Sequence, residues 1–254
     1  MEWSVGADET LDDIAGGRLK VLQKAKGYRF SLDALLLAHF VCLQPGEQVL
    51  EMGAGSGVVS LILADRWKQS TITGIDIQEE VVAMAVKSAA INGLADKVAL
   101  RQVDVKNIDA AFARGSFDVA VANPPYRKLK SGRINADRKK ALARHEIAGT
   151  IRDFLRAASY VLKPAGRAYF IYPATRMVEL MFSMREAVIE PKRLRMVYSN
   201  HREAGKFILV EGVKDGGEEL ELMSPLFIYA KKGGYAAEMK AIFKSLSSPG
   251  ISAS

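Results

Sequence analysis

Asn123, Pro124, Pro125 and Tyr126 stand together at the end of an apolar run, in the segment FDVAVANPPYRKLK. Small and branched apolar residues of this kind make a buried strand, and this one ends in an amide. The side-chain oxygen of Asn123 and the backbone carbonyl of Pro124 are hydrogen-bond acceptors. The two prolines stiffen the turn, so both acceptors are aimed before a ligand arrives. Tyr126 adds a flat face on which a planar group can stack. The four residues form a candidate catalytic turn, suited to holding a planar group by its N–H protons.

A second group lies upstream. In VLEMGAGSGVVSL, Glu51 is followed by Gly53, Ala54, Gly55 and Gly57. Glycines between a strand and a helix allow a tight turn and let a ligand approach the backbone closely. The spacing is G-x-G-x-G. A dinucleotide fingerprint needs its third glycine where this chain has Val58, and no phosphate-loop Gly-Lys-Ser/Thr follows. Alone, the turn is compatible with a plain strand–helix junction. Its context is more specific. Asp76 ends the next apolar run, TITGIDI, about where an acidic residue holds ribose hydroxyls, and Asp104 ends VALRQVDV. Glu51, Asp76, Asp104 and Asn123 therefore close four strands, and ligands bind outside the carboxyl ends of such strands. Acidic groups there suit a ligand with a ribose and a positive charge and disfavour a bare polyphosphate. S-adenosylmethionine, with an adenosine, an amine and a sulfonium, meets that description.

These residues need a scaffold, and the pattern supplies one. From about residue 47, EQVLEM, TITGIDI, VALRQVDV, FDVAVA and GRAYFIYP read as strands. Between them GVVSLILADRW, EEVVAMAVKSAAING and a stretch around IRDFLRAASYVL read as helices, and TRMVELMFSMREAV follows as another. Such alternation predicts a parallel sheet covered on both faces. LRMVYSN, KFILVEGV and MSPLFIYA follow without long helices between them, which predicts an antiparallel edge. The first 45 residues read as a strand pair, GRLKVLQ with GYRF, and a buried helix, SLDALLLAHFV, with Ser31 as its N-cap.

EMGAGSG, GIDI and NPPY in this order resemble class I methyltransferases that act on an amino nitrogen, over roughly Ser31 to Val213. The resemblance implies that the glycine motif binds the methionine part of S-adenosylmethionine. It implies that Asp76 holds the ribose, that Ile77 beside it belongs to the cofactor site, and that Asp104 and Val105 face the adenine. The tetrapeptide then has a chemical logic. An exocyclic amine on adenine, or an amide, is a poor nucleophile because its lone pair is delocalised. Accepting its protons at fixed oxygens favours a pyramidal nitrogen and the developing positive charge. The flanks YRFSLDALLLA, ARHE and FILVEGVKDGG with MSPLFIYA are similar to the bacterial tRNA(Val) adenine-N6 methyltransferase family, which modifies the adenine beside the anticodon. By that resemblance Phe30, Ser31 and Asp33 lie near the cofactor. Their plainer readings are a core ring, a helix cap and a first-turn dipole partner. The family commonly has phenylalanine directly after the tetrapeptide, where this chain has Arg127.

Arg127, Lys128, Lys130, Arg133, Arg138, Lys139, Lys140 and Arg144 follow the turn against Asp137 alone. A run this dense can be a solvated loop, but beside a base-sized slot it is what an RNA substrate favours. Lys192, Arg193, Arg195, His201, Arg202 and Lys206 make a second basic region. A target base must leave its stack to react, which is cheapest in a single-stranded loop. Two alternatives stay open: a protein-glutamine methyltransferase, although those carry a helical domain ahead of the core, and a non-catalytic RNA-binding module. DNA adenine methyltransferases need a target-recognition domain for which there is no room after Val213.

Composition sets the outer bounds. The chain has 254 residues, half of them apolar, and a formal charge of +7. One cysteine, Cys42, and three scattered histidines predict no disulfide and no metal site. No run approaches a membrane span. The acidic N-terminal segment argues against secretion and for a cytoplasmic protein. The expectation is an α/β, Rossmann-like class I methyltransferase with a mostly parallel seven-stranded sheet, an antiparallel edge and helices on both faces. It forms one domain over 1–254: an N-terminal strand/helix extension (1–45), a catalytic core (46–232), and a C-terminal helix with a frayed tail (233–254).

Overall fold

Alternate residues along the central strands face opposite sides, and this period of two builds two cores. Val49, Val119, Val121, Tyr169 and Ile171 enter one apolar cluster, while Leu50, Met52, Ala120, Ala122, Phe170 and Tyr172 enter the other. The computed structural model describes residues 5–26, 29–125, 149–231 and 233–248.

The chain opens with an antiparallel hairpin, β1 (Glu9–Ile14) and β2 (Leu19–Lys24). Helix α1 (Leu32–Phe40) leads to β3 (Gln48–Met52), α2 (Val58–Arg66), β4 (Thr71–Asp76), α3 (Glu79–Ile91) and β5 (Val98–Gln102). The short α4 (Ile108–Ala111) precedes β6 (Phe117–Ala122). Next come α5 (Ile151–Val161), β7 (Leu162–Pro173), α6 (Met177–Glu186), β8 (Ile189–Tyr198) and β9 (Gly205–Lys214). The two-residue strands β10 (Glu221–Leu222) and β11 (Leu226–Phe227) and helix α7 (Ala237–Ser247) complete the described chain.

The seven long strands of the sheet lie in the order β5-β4-β3-β6-β7-β9-β8, and β10 and β11 both pair with β8. All neighbours are parallel except β9, which runs against both β7 and β8. The expected reversal is therefore one strand in from the edge, and β8 again runs with the rest. Segment MSPLFIYA forms only the short β11, parallel to β8. Pro225 interrupts it, having no N–H to give a ladder.

The N-terminal strand pair also differs from expectation. The partner of Leu19–Lys24 is the acidic Glu9–Ile14; of the expected partner GYRF, residues 27 and 28 lie outside the described residues, and Arg29 and Phe30 are not in a strand. Ion pairs hold that register: Lys20 with Asp13 at 2.5 Å and Lys24 with Asp8 at 2.7 Å. The hairpin is sewn to α3, where Leu22 N donates to Ser88 Oγ (2.9 Å) and Asn92 exchanges two bonds with the Lys20 backbone (2.8 and 2.7 Å). Ile14, Leu19 and Val21 join the same cluster as α1 and α2. Among the described residues no helix is long and apolar enough to cross a membrane.

Candidate active site

Strand β3 lies between β4 and β6. The chain leaves it for one side and returns on the other, which opens a crevice at the carboxyl ends. Four of the expected positions, Gly53, Ala54, Gly55 and Asp76, close on one another there. Gly53 and Ala54 both donate their N–H to Ile75 O at 2.8 Å, and Gly55 N donates to Asp76 Oδ2 at 3.0 Å. Val103 N reaches Asp76 O at 3.0 Å and joins the end of β5 to the same point.

The three glycines divide the work. A Cβ on Gly53 would stand 3.3 Å from Phe154 Cε1, and one on Gly57 3.2 Å from Ala85 Cβ, so these two permit packing. Nothing lies within 4 Å of a Cβ built on Gly55, and its φ of 54° is left-handed. Gly55 is thus the glycine of the three with open space beside its backbone.

Asp76 is half-buried. Its Oδ2 accepts from Gly55 and its Oδ1 from Gln78 N at 3.0 Å, leaving each oxygen a further lone pair. Ile77 offers its carbonyl to Gln102 Nε2 at 3.2 Å. Strand β5 stops at Gln102, earlier than expected, so Asp104 caps the 3-10 turn Val105–Asn107 through Lys106 N at 2.9 Å. Val105 is buried against Ile75 and Phe154 in the second core.

Glu51 does not open into the crevice; it is 4 % exposed. Its Oε2 accepts from Ser60 N at 2.8 Å and from the Ser60 hydroxyl, tying β3 to the first turn of α2. Burial pushes its pKa up to about 7, the Ser60 hydrogen bonds oppose that, and the charge of Asp76 adds to it.

Asn123 follows the last residue of β6. Its Oδ1 is buried and has no hydrogen-bond partner among the described residues. Buried acceptors are almost always satisfied, so an orphan calls for a reason. Pro124 is buried and Pro125 half-buried beside it. Tyr126 and the basic positions Arg127, Lys128, Lys130, Arg133, Arg138, Lys139 and Lys140 lie outside the described residues.

Phe30 is tied to the hairpin, and Ser31 and Asp33 to each other. Phe30 N donates to Gln23 Oε1 at 2.8 Å, and the Ser31 hydroxyl bonds the buried Asp33 carboxylate. Ser31 holds the N-cap position of α1 with extended backbone, but its side chain caps no helix N–H. Reading the sequence missed Ser60, the anchor of Glu51, and Phe154, which packs against Gly53. A capping box, Thr150 with Asp153, fixes the helix that carries Phe154; its T-x-x-D spacing was the available signal.

A glycine turn on the first strand of the switch point, an acidic residue closing the next and an orphan amide closing the fourth define the class: a Rossmann-like methyltransferase domain. A family model described as a methyltransferase domain matches residues 43–223, and the chain belongs to that family. A tRNA1(Val) (adenine(37)-N6)-methyltransferase of Porphyromonas gingivalis is 28% identical over 200 residues, covering 76% of this chain and 78% of that protein. A relative of the same name from Histophilus somni is 28% identical over 222 residues, covering 83% and 86%. Among solved structures, a predicted O-methyltransferase from Agrobacterium tumefaciens superposes with a TM-score of 0.70 at 18% identity, covering 86% of this chain and 98% of that one.

Proposed function

We propose that the chain is an S-adenosylmethionine-dependent methyltransferase that modifies the exocyclic N6 amine of an adenine in RNA, and that the RNA is a tRNA. The similarity to proteins named for that reaction supports it. One structural observation carries it: the buried Oδ1 of Asn123 at the carboxyl end of β6, without a partner among the described residues. An acceptor in that state is matched by a substrate that brings its own N–H, which is what an exocyclic amine does.

The residues at the crevice fit the cofactor. Gly55 leaves room along the backbone, and Asp76 beside it keeps lone pairs for ribose hydroxyls. Asp104 and Val105, with Ile77, border the place assigned to the adenine, and the half-buried Asp76, unlike the buried Glu51, favours a cationic ligand. When bound, S-adenosylmethionine supplies an electrophilic methyl group on a sulfonium. Asn123 Oδ1 and the Pro124 carbonyl accept the amine protons and turn the nitrogen lone pair out of conjugation. They also stabilise the positive charge that grows on nitrogen. No strong base is required, because the cationic product sheds its proton readily. Tyr126 supplies the stacking face by its place in the tetrapeptide. Phe30, Ser31 and Asp33 border the cofactor in this reading, and Arg127 to Lys140 bring positive charge to the RNA. A tRNA substrate assigns the reaction to the cytoplasm.

Incubation with labelled cofactor and unmodified total RNA, followed by nucleoside analysis, tests the proposal. N6-methyladenosine in a tRNA is the expected product. Label on a glutamine of a translation factor, with none on RNA, would overturn it.

A further inference from the structure

The crevice occupies only half of the sheet edge. On the other side of β6, strands β7, β9 and β8 and then β11 continue it, four spacings of ~4.8 Å or about 19 Å in all. Strand β8 runs with β6, so its carboxyl end, Tyr198, leaves the sheet on the edge where Asn123 leaves it. A set of rings collects at that corner. His201 stacks on Phe227 with centroids 3.8 Å apart, and Tyr198 on Phe227 at 5.4 Å. Tyr229 stacks on Tyr235 at 5.5 Å. Backbone bonds from Ile228 N to Tyr198 O (2.9 Å) and from Tyr229 N to Ser199 O (2.8 Å) hold the two groups side by side. Aromatic rings normally serve as core, but His201, Tyr229 and Tyr235 are exposed, the tyrosines at 42% and 41%.

The charges sort in the same way. Of the second basic region, Lys192 donates to the Gly217 and Glu218 carbonyls, Arg193 pairs with Glu211, and Arg195 with Glu238. Those three are occupied in holding strands and loops together. Arg202 and Lys206 are exposed and make no ion pair among the described residues; Lys206 Nζ lies 5.4 Å from the Phe207 ring. Glu203 shares the tip, its carboxylate accepting from Asn200 Nδ2 at 2.5 Å. The Asn200 Oδ1 also accepts from Arg202 N at 2.8 Å, so the hairpin tip is set before any partner arrives.

We propose that Tyr198, His201, Phe227, Tyr229 and Tyr235, with Arg202 and Lys206, form a stacking platform for unpaired nucleotides flanking the target base. The inference rests on the RNA reading above and deepens it. Exposed rings receive bases face to face with little regard for sequence, and neighbouring cations meet the phosphates. The platform lies across β6 from the acidic donor half of the edge, so a strand seated on it presents a flipped base to the slot without crossing the carboxylates.

Fluorescence anisotropy with a labelled single-stranded RNA and with unmodified tRNA tests this directly, with or without turnover. His201→Ala and the pair Tyr229→Ala/Tyr235→Ala should each weaken binding about tenfold, and His201→Tyr should restore it. Affinity for S-adenosylmethionine serves as the folding control. Unchanged RNA affinity in both alanine variants overturns the platform, even if wild-type protein methylates tRNA. Weakened binding with no methyl transfer to any RNA retains the platform and rejects the enzymatic reading instead.

Discussion

Asn123 and Glu51 carry opposite burdens. Asn123 keeps a buried acceptor without a partner among the described residues, and in the proposed reaction its reward comes with substrate. Asn123→Ala should lower turnover by about two to three orders of magnitude and leave cofactor affinity nearly unchanged, as isothermal titration beside a methylation assay would measure. Undiminished turnover would refute its role. Glu51 carries its cost without any ligand. Its folded pKa, raised from 4.5 to about 7, means that the folded protein resists ionisation between those values while the unfolded chain does not. Stability by this route is full below about pH 4.5, declines as pH rises, and levels off above about 7. The total loss is on the order of 3 kcal/mol. Glu51→Gln keeps an oxygen for Ser60 and removes the titration. Relative to wild type, the variant should gain stability between urea melts at pH 5 and at pH 8; equal differences at both values would count against the shift. The places of Asn123, Asp76 and the glycines at strand ends were legible in the sequence, because each follows directly on an apolar run. The orientation of Glu51 was not, because a carboxylate at a strand end can face the crevice or the next helix, and Ser60 decides between them.

Elements were legible where burial imposes a period. β3, β4, β6 and the helices α2 and α3 fall within a residue or two of their apolar patterns, because a strand covered on both faces cannot hide; the single turn of α4 was not expected. β1 was not, since Glu9, Asp12 and Asp13 give an acidic stretch of poor strand propensity that is held by lysine and arginine partners. β5 ended early because Asp104 turns the chain into the 3-10 turn Val105–Asn107, which it caps through Lys106 N. The glycine turn makes a demand on β4 that the pattern did not signal: a Cβ at Gly74 would meet Leu100 Cδ1 at 2.6 Å and Ala54 Cβ at 3.1 Å. Gly74→Ala should therefore destabilise by about 1–3 kcal/mol and weaken cofactor binding through the displaced loop, measured by thermal shift with and without S-adenosylmethionine. Thr150→Ala, which removes a capping box on α5, should cost about 1 kcal/mol in chemical denaturation.

At the scale of the molecule the carboxyl edge is divided among the described residues, with carboxylates on the half from β3 to β5 and cations that make no ion pair on the half beyond β6. Counting charges along the sequence missed this, because Arg193 and Arg195 look no different from Arg202 until their partners Glu211 and Glu238 fold beside them. The division predicts unequal salt effects. Arg202→Gln with Lys206→Gln should flatten the dependence of log K on log salt for RNA by about 1.4, at ~0.7 for each phosphate no longer neutralised, whereas Lys192→Gln should leave the slope alone; titrations from low to moderate salt distinguish the two. The reversed strand β9 has one more consequence. It brings the chain back so that residues 199–204 form a hairpin tip with both ends anchored in adjacent strands. Such a tip can be lengthened or exchanged at little thermodynamic expense, about 0.6 kcal/mol for a doubling of length. Grafts at this corner should retune which nucleic acid is accepted while the donor half, several strands away, keeps its machinery intact.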